Sequence, residues 1–251
     1  MDQRLSGLEM RTSLSALASL ALPGWCTVCG RRLNYRERFL CLECMADLPL
    51  THFETLEHNP MADRYNSAFG VQIEEYEPYQ WAAALLYYNA YTGYANIPRN
   101  LKYYRSTAQG RYFARMLAQN IALAPHFRDI DLIVPVPLHW LRKLRRGYNQ
   151  AAVIGSELSR RLGVPMDERL IVRARRTSTQ TALDREAKAR NVQGAFALNR
   201  RRAARSHAVR HILLVDDVMT SGATLAQCHR ALRTYFGPEV RISCATLAFV
   251  G

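Results

Sequence analysis

The sequence predicts an α/β fold, with a mainly parallel sheet flanked by helices and a small four-cysteine module near the N-terminus. Two segments, 131–137 and 212–215, have the nearly continuous hydrophobicity of strands that are buried on both faces, as in parallel sheets. A helical pattern follows each of them, over 149–162 and 223–235. Strands that alternate with helices in this way favour a sheet with helices on its faces.

The length of 251 residues predicts one main domain and a small module, since a domain usually has about 100–200 residues. We expect an N-terminal helix and metal-binding knuckle over 1–50, a connector over 51–80 and the main domain over 81–251. The hydrophobic content of 49% is sufficient for a core. No apolar run reaches the roughly 18 residues of a membrane-spanning helix, so the sequence predicts no membrane span.

The first 22 residues contain an apolar stretch, 14–22, that two serines interrupt. A secretory signal would have a basic start and a small-residue cleavage site. Here Asp2 and Glu9 lie near the start, and Pro23-Gly24-Trp25 follows the apolar stretch. We therefore expect an amphipathic helix and a cytoplasmic location, with a signal peptide as the alternative.

Four cysteines form two Cys-x-x-Cys motifs that 11 residues separate. Each motif can clasp one side of a tetrahedral metal ion, and four thiolates suit Zn²⁺. A zinc ion with four cysteine ligands has no open position, which favours a structural role. Disulfides are the alternative and would require an oxidising compartment. The predicted ligands are Cys26, Cys29, Cys41 and Cys44.

The remaining helices and strands are predicted from weaker hydrophobic patterns. The sequence predicts a strand over 81–88 and helices over 91–104 and 109–123. Short strands are expected over 170–172 and 195–198, and a last strand over 240–249. Gly163 is predicted to end the helix at 149–162, and a basic connector is expected over 200–210. Cys228 and Cys244 are predicted to be small buried hydrophobic residues.

The predicted central strand and the turn after it indicate a site for a phosphorylated ligand. Asp216 and Asp217 come after residues 212–215, at the carboxyl end of a strand, where open α/β sheets place their ligands. Gly222 lets the backbone approach a ligand closely, and the start of a helix at residue 223 presents unpaired N–H groups to a phosphate. Further hydroxyl donors are Thr220, Ser221 and Thr224.

Two adjacent carboxylates beside a phosphate site are explained if they accept hydrogen bonds from a sugar diol. They can equally bind a Mg²⁺ ion that the ligand brings. The alternative is an ordinary strand–turn–helix in which both acids are solvated.

The same residues resemble the phosphoribosyl pyrophosphate (PRPP) signature of type I phosphoribosyltransferases, in which two acids and a Thr/Ser-rich loop with a glycine follow an apolar strand. The resemblance implies a type I phosphoribosyltransferase-like core. It also implies that Asp216 and Asp217 hold the ribose hydroxyls, with Mg²⁺ bound together with PRPP. The residues implied in holding the 5′-phosphate are Met219, Thr220, Ser221, Gly222, Ala223 and Thr224.

The net charge of +13 comes from one part of the chain. Residues 139–210 carry 18 Lys and Arg against 5 Asp and Glu, a balance of +13, and the rest of the chain is neutral. A local basic field of this kind indicates a polyanionic partner or substrate. PRPP itself is such an anion, and a solvated basic face is the remaining alternative.

Most of the chain resembles the ComF (GntX-like) family of competence-associated proteins. The resemblance rests on the four-cysteine knuckle, Leu101-Lys102-Tyr103, the segments 134–139 and 145–150, a pattern of Arg, Thr and Gln over 176–196, and the PRPP-type loop. Tyr104-Arg105-Ser106 departs from the glycine and acid that the family often has there. The resemblance implies that the loop at 175–191 closes over PRPP. Contacts to pyrophosphate or nucleic acid are implied for Arg142, Lys143, Arg145, Arg146, Asn149, Gln150, Arg176 and Arg185, with a solvated surface position as the alternative for each arginine.

Two functions follow from this family resemblance. The first is a PRPP-binding protein that assists the handling of incoming single-stranded DNA in natural transformation, with a DNA-uptake protein or helicase as a candidate partner. The aromatic residues in 87–112 are candidates for base stacking or for the core. The second is an active phosphoribosyltransferase that transfers phosphoribose from PRPP to a nucleobase or a related acceptor. No motif identifies a catalytic residue or an acceptor pocket.

Overall fold

The main sheet has four parallel strands in a computed structural model that describes residues 24–70, 77–138, 144–173, 195–206 and 208–251. The strand order is β1-β6-β5-β2, and every neighbouring pair runs parallel. The bounds are Ala82–Tyr87 for β1, Leu132–Pro135 for β2, His211–Met219 for β5 and Arg241–Phe249 for β6. Two shorter strands, Ile171–Arg173 (β3) and Phe196–Leu198 (β4), pair antiparallel. The predicted α/β fold with a mainly parallel sheet is confirmed.

Seven α-helices lie entirely within the described residues. They are α1 (Leu42–Ala46), α2 (Pro60–Gly70), α3 (Asn96–Tyr103), α4 (Thr107–Leu123), α5 (Gln150–Leu162), α6 (Arg200–Ala203) and α7 (Ala223–Arg233). Within the described ranges, none of these helices has both the length and the apolar content to cross a bilayer. The helix predicted within residues 1–22 and the loop predicted over 175–191 lie outside the described residues.

The two faces of the sheet pack against different helices. Leu213 of β5 belongs to the hydrophobic cluster formed with α4 and α5, and its neighbour Leu214 belongs to the cluster formed with α2 and α7. Successive side chains of a strand point to opposite faces, and both faces are covered here, so β5 needs a continuous apolar run. All of residues 211–215 are buried.

Local sequence signals fix both ends of α5. Asn149 is the N-cap, and its side-chain oxygen accepts a hydrogen bond from the Ala151 N–H at 3.2 Å. Its amide nitrogen donates to the Val136 carbonyl at 3.0 Å, which ties the helix start to the segment after β2. Gly163 ends the helix with a φ of 70°, a left-handed conformation that glycine adopts without strain. The predicted helix end at Gly163 is confirmed.

β5 is longer than the sequence pattern indicates. Its pairing with β6 continues as far as Met219, which lies opposite Phe249. Asp216 and Asp217 are therefore inside the last four residues of the strand, and only residues 220–222 separate it from α7. The strand extends this far because β6 is equally long and pairs with it along nearly its whole length.

The segment 51–80, which the sequence indicated to be a connector, contributes to the core of the main domain. Tyr65 and Phe69 of α2 are 0% and 2% exposed. The Tyr65 hydroxyl bonds to Nδ1 of His229 at 2.8 Å and to the Ile242 carbonyl at 3.1 Å. The sequence pattern obscured this helix because polar residues alternate with its buried positions. A division of the chain at residues 50 and 80 stays a prediction.

We expect Phe69→Ala to lower the free energy of unfolding by about 3–5 kcal/mol, as for other buried aromatic residues. The Phe69 ring stacks on His229 with 4.0 Å between ring centroids, so its loss leaves a cavity between α2 and α7. Chemical denaturation would measure the change. Leu123→Ala, at a position that is 79% exposed, serves as a control with an expected change within about 0.5 kcal/mol. An unchanged stability of Phe69→Ala would contradict the assignment of α2 to the core.

Candidate functional site

The turn between β5 and α7 forms a tight polar loop whose shape depends on Gly222. This residue has a φ of 76° and is the N-cap of α7. A Cβ atom at this position would lie 2.8 Å from the Met219 Cε, which would have to shift, and any side chain would be strained at this left-handed φ. The loop encloses a pocket of about 30 Å³. Its lining residues are Asp216, Val218, Met219, Thr220, Ser221, Gly222, Ala223, Thr224 and Leu225.

Arg64 of α2 holds this loop from outside. Its guanidinium donates to the Thr220 carbonyl at 2.8 Å and also to the Val250 carbonyl, and it lies 4.5 Å from the centre of the Phe249 ring. These contacts join the loop to the end of β6. The sequence analysis did not identify Arg64, because 156 positions separate it from Thr220 and no motif surrounds it.

The two acids of β5 lie in different surroundings. Asp217 is 8% exposed, and its Oδ1 is 3.3 Å from Nζ of Lys102, which ends α3. Asp216 is partly open to solvent, although protein atoms surround most of its carboxyl group. Burial and the neighbouring Asp217 carboxylate raise the pKa of Asp216 to about 7. A cation or hydroxyl donor would relieve this repulsion, so the pair is suited to a metal ion or a sugar diol.

A larger cleft of about 140 Å³ lies beside the same acids. It places cationic and anionic side chains around one space, with both acids and the cations Lys102, Arg146 and Arg173 in its lining. The complete lining is Lys102, Val136, Pro137, Leu138, Arg146, Asn149, Gln150, Ala151, Arg173, Asp216, Asp217 and Thr224. Thr224 and Asp216 also line the loop pocket, so the two spaces share these residues.

The candidates that the sequence proposed for phosphate contacts are divided by the structure. Arg146, Asn149 and Gln150 line the cleft together with the two acids. Arg145 is exposed and does not line it. Four further candidates, Arg142, Lys143, Arg176 and Arg185, lie outside the described residues. Lys102 belongs to a motif of the family resemblance but was given no ligand contact there, and Arg173 was not singled out.

Two buried donors in the cleft lack partners. Gln150 is 2% exposed, and its Oε1 accepts a hydrogen bond from Nη1 of Arg146 at 2.9 Å. Among the described residues, the Gln150 Nε2 and the Arg146 Nε have no hydrogen-bond partner. Buried polar atoms are nearly always paired in folded proteins. An anion in this cleft would pair both donors, and the Arg146 charge would strengthen its binding.

The four predicted metal ligands converge in the N-terminal module. Their sulfur atoms all lie within 4.8 Å of one another, and Cys29 Sγ is 3.7 Å from Cys41 Sγ. A tetrahedral site with Zn–S bonds of about 2.3 Å requires sulfur atoms about 3.8 Å apart. All four are free thiols, and the Cys41 N–H points at Cys26 Sγ at 3.4 Å. Burial opposes ionisation of Cys26, but backbone N–H groups lower its pKa to about 6. This donor set fits a structural zinc ion.

The cysteine knuckle packs directly against the start of α3. The Asn96 side-chain amide donates to the Thr27 carbonyl at 3.0 Å, and the Tyr94 hydroxyl donates to the Cys44 carbonyl at 3.2 Å. Gly93 has no room for a side chain, because the Val28 carbonyl occupies that space. The knuckle therefore supports the helix whose other end carries Lys102 into the cleft.

We expect one zinc ion per chain, because four sulfur atoms at these distances supply a complete tetrahedral ligand set. Elemental analysis of protein purified without chelator, together with titration of free thiols, would measure it. Removal of the metal should lower the melting temperature and expose the four thiols to modification. A metal-free protein with these cysteines in disulfides would contradict the zinc assignment.

We expect Asp216→Asn to raise the free energy of unfolding at pH 8 by on the order of 2 kcal/mol in the ligand-free protein. Folding raises the pKa of Asp216 from its ordinary 3.8 to about 7, so the folded state disfavours the ionised form. The wild type should therefore lose stability relative to the variant as the pH rises from about 4 to about 7. Denaturation at several pH values would test this, and an equal difference at pH 4 and pH 8 would contradict the raised pKa.

Comparisons with known proteins agree with this architecture. The family model of the phosphoribosyl transferase domain matches residues 148–251, whereas β1 and β2 of the same sheet precede this match. Competence protein F of Haemophilus influenzae is 34% identical over 135 residues, which cover 53% of this chain and 58% of that protein, less than two thirds of its length.

Two longer matches cover nearly the whole chain. DNA utilization protein YhgH of Salmonella typhimurium is 30% identical over 235 residues, and that of Escherichia coli strain K12 is 30% identical over 230 residues. Each alignment covers 90% of this chain and 92% of the relative. With its phosphoribosyl transferase domain and four-cysteine cluster, the chain belongs to the ComF family, which includes Competence protein F and DNA utilization protein YhgH.

Proposed function

We propose that this protein binds PRPP in the cleft beside Asp216 and Asp217 and assists the handling of single-stranded DNA in natural transformation. One observation carries the PRPP proposal. The loop pocket and the cleft adjoin each other, and their linings bring together the two acids, the loop before α7 and the buried donors of Arg146 and Gln150. The match to the phosphoribosyl transferase domain supports the same ligand.

Each part of PRPP has a chemically suited partner in this arrangement. The loop at residues 220–224 would receive the 5′-phosphate at the start of α7, where backbone N–H groups and the helix dipole favour an anion. Asp216 and Asp217 would hold the ribose hydroxyls and a Mg²⁺ ion, whose charge would favour the ionised form of Asp216. Lys102 and Arg146 would face the pyrophosphate.

The DNA role is supported by charge and by the relatives. The chain carries a net charge of +13, and its relatives are named for competence and for DNA utilization. A strongly basic protein binds nucleic acid through its phosphates. We propose a cytoplasmic location, where a DNA-uptake protein or helicase would pass the strand on and where thiolates stay reduced.

An active phosphoribosyltransferase is the second candidate function. The cations of the cleft favour it, because leaving pyrophosphate gains negative charge that Lys102 and Arg146 would stabilise. Transfer would replace the bond between the ribose carbon and pyrophosphate by a bond to a nucleobase nitrogen. Consumption of PRPP with one base out of a panel would identify this activity.

We expect the double variant Asp216→Asn with Asp217→Asn to lose PRPP binding and to keep its affinity for single-stranded oligonucleotide. The carboxylates are proposed to hold the sugar and its metal, whereas phosphates of DNA would be repelled by them. Calorimetry with PRPP and Mg²⁺, and fluorescence anisotropy with an oligonucleotide at several salt concentrations, would measure both.

The PRPP site and the DNA role can be contradicted separately. Unchanged PRPP affinity in the folded double variant would contradict the PRPP site. A wild-type protein that binds no oligonucleotide at low salt would contradict the DNA role, and a steep fall of affinity with salt would support it.

A further inference from the structure

We propose that the exposed face around α3 is a docking surface for single-stranded nucleic acid that leads to the PRPP cleft. This surface, the tyrosine–arginine strip, consists of Tyr91, Arg99, Tyr103, Tyr104 and Arg105. It lies outside the basic segment 139–210 that the sequence analysis singled out. The inference rests on the proposed DNA role and identifies the part of the molecule that would perform it.

The strip exposes aromatic rings that a folded protein would usually cover. Tyr91 is 100% exposed, Tyr103 62% and Tyr104 77%. The sequence could not separate these rings from the neighbouring Tyr94 and Tyr112, which are partly buried and pack against the hydrophobic cluster around α4. Exposed rings offer flat apolar faces on which unpaired bases stack.

Contacts connect the strip to the cleft in steps. The Arg99 side chain donates to the Ala90 carbonyl at 3.4 Å, next to Tyr91, and Tyr103 lies one helical turn after Arg99. The Arg146 guanidinium lies 5.5 Å from the centre of the Tyr103 ring, and Arg146 also lines the cleft. The strip and the cleft therefore share Arg146 as a common border.

Arg105 places a second cation on the same border. It has a φ of 53°, a left-handed conformation, directly after the two tyrosines. Its guanidinium lies against the backbone of Gly147, where a Cβ atom would be 3.7 Å away. Arg105 therefore lies beside the residue that follows Arg146.

The charge of this region is complementary to a phosphate backbone. Residues 78–128 contain no Asp or Glu and six basic residues. One of these bases, Arg115, pairs with Glu157, but neither Arg99 nor Arg105 forms an ion pair within the described ranges of the chain. Their charges are available to a polyanion, and Asp217 of the adjoining cleft is paired with Lys102.

The combination of rings and cations selects a single-stranded nucleic acid as the occupant. Unpaired bases have free faces for the tyrosines, and the adjoining phosphates would meet the arginines. A duplex keeps its base faces stacked inside and would leave the rings without partners. An acidic peptide would satisfy the arginines alone.

The test compares three double variants of the strip with wild type, using oligo-dT and oligo-rU of equal length. Tyr103→Ala with Tyr104→Ala should weaken binding of the oligonucleotides by about tenfold or more, because stacking is lost. The salt dependence should stay as in wild type, since no charge is removed. Tyr103→Phe with Tyr104→Phe should keep the affinity, because phenyl rings also stack. The matched control is Tyr235→Ala, at an exposed tyrosine beyond the far end of α7, with an unchanged affinity expected.

The third variant, Arg99→Gln with Arg105→Gln, removes charge and leaves the rings. It should lower the slope of log K against log salt by roughly 0.7 for each phosphate contact that is lost. Tighter binding of oligo-dT than of oligo-rU is expected, because the occupant proposed for the strip is single-stranded DNA, and a preference for oligo-rU would overturn that assignment.

Three negative outcomes are distinguishable. A wild-type protein that binds neither oligonucleotide would overturn the proposed DNA role itself. If wild type binds and all strip variants keep the same affinity and the same melting temperature, the strip alone is overturned as the docking surface. A loss in the alanine variant together with a loss in the phenylalanine variant would likewise overturn stacking on these rings.

Discussion

The close approach of two carboxylates at the end of β5 is the constraint around which the candidate site is organised. Asp217 has Lys102 as a partner at 3.3 Å, whereas Asp216 has a raised pKa because burial and Asp217 oppose its ionisation. Such repulsion lowers stability in the ligand-free protein and favours binding of cations or donors. Strands β5 and β6 hold both acids in place through backbone pairing up to Met219.

Elements distant in sequence position the remaining parts of the site. The cysteine knuckle supports the start of α3, and the Tyr148 hydroxyl bonds to the Leu101 carbonyl near its end, so Lys102 is held between two contacts. α7 is fixed at both ends as well. Arg64 holds the loop before it, and Arg233 in its last turn pairs with the buried carboxylate of Glu77 at 2.8 Å. Both anchors therefore position α7, whose Thr224 lines the cleft.

Glu77 also illustrates how buried charge is compensated in this fold. Burial raises the pKa of its carboxyl group, but hydrogen bonds from His229 and Arg233 lower it to about 2. The stability from this ionised carboxylate is therefore present above its ordinary pKa and is lost as the pH falls towards 2. Its balance is opposite to that of Asp216, where the Asp217 N–H donates to Oδ1 at 2.8 Å and the Lys102 charge also favours ionisation, but burial and the Asp217 carboxylate outweigh both. Compensated carboxylates stabilise the framework, and the uncompensated one lies where a ligand would bind.

The sequence by itself determined the parallel sheet, the loop around Gly222 and the cysteine ligand set, because each depends on residues close together in the chain. Hydrophobic runs define buried strands, a glycine permits a left-handed turn, and Cys-x-x-Cys spacing fits a tetrahedron. Tertiary structure alone decided the roles of Arg64 and Lys102, the place of α2 in the core and the exposure of the tyrosines beside α3. These features depend on contacts between residues far apart in sequence, and such contacts leave no local pattern.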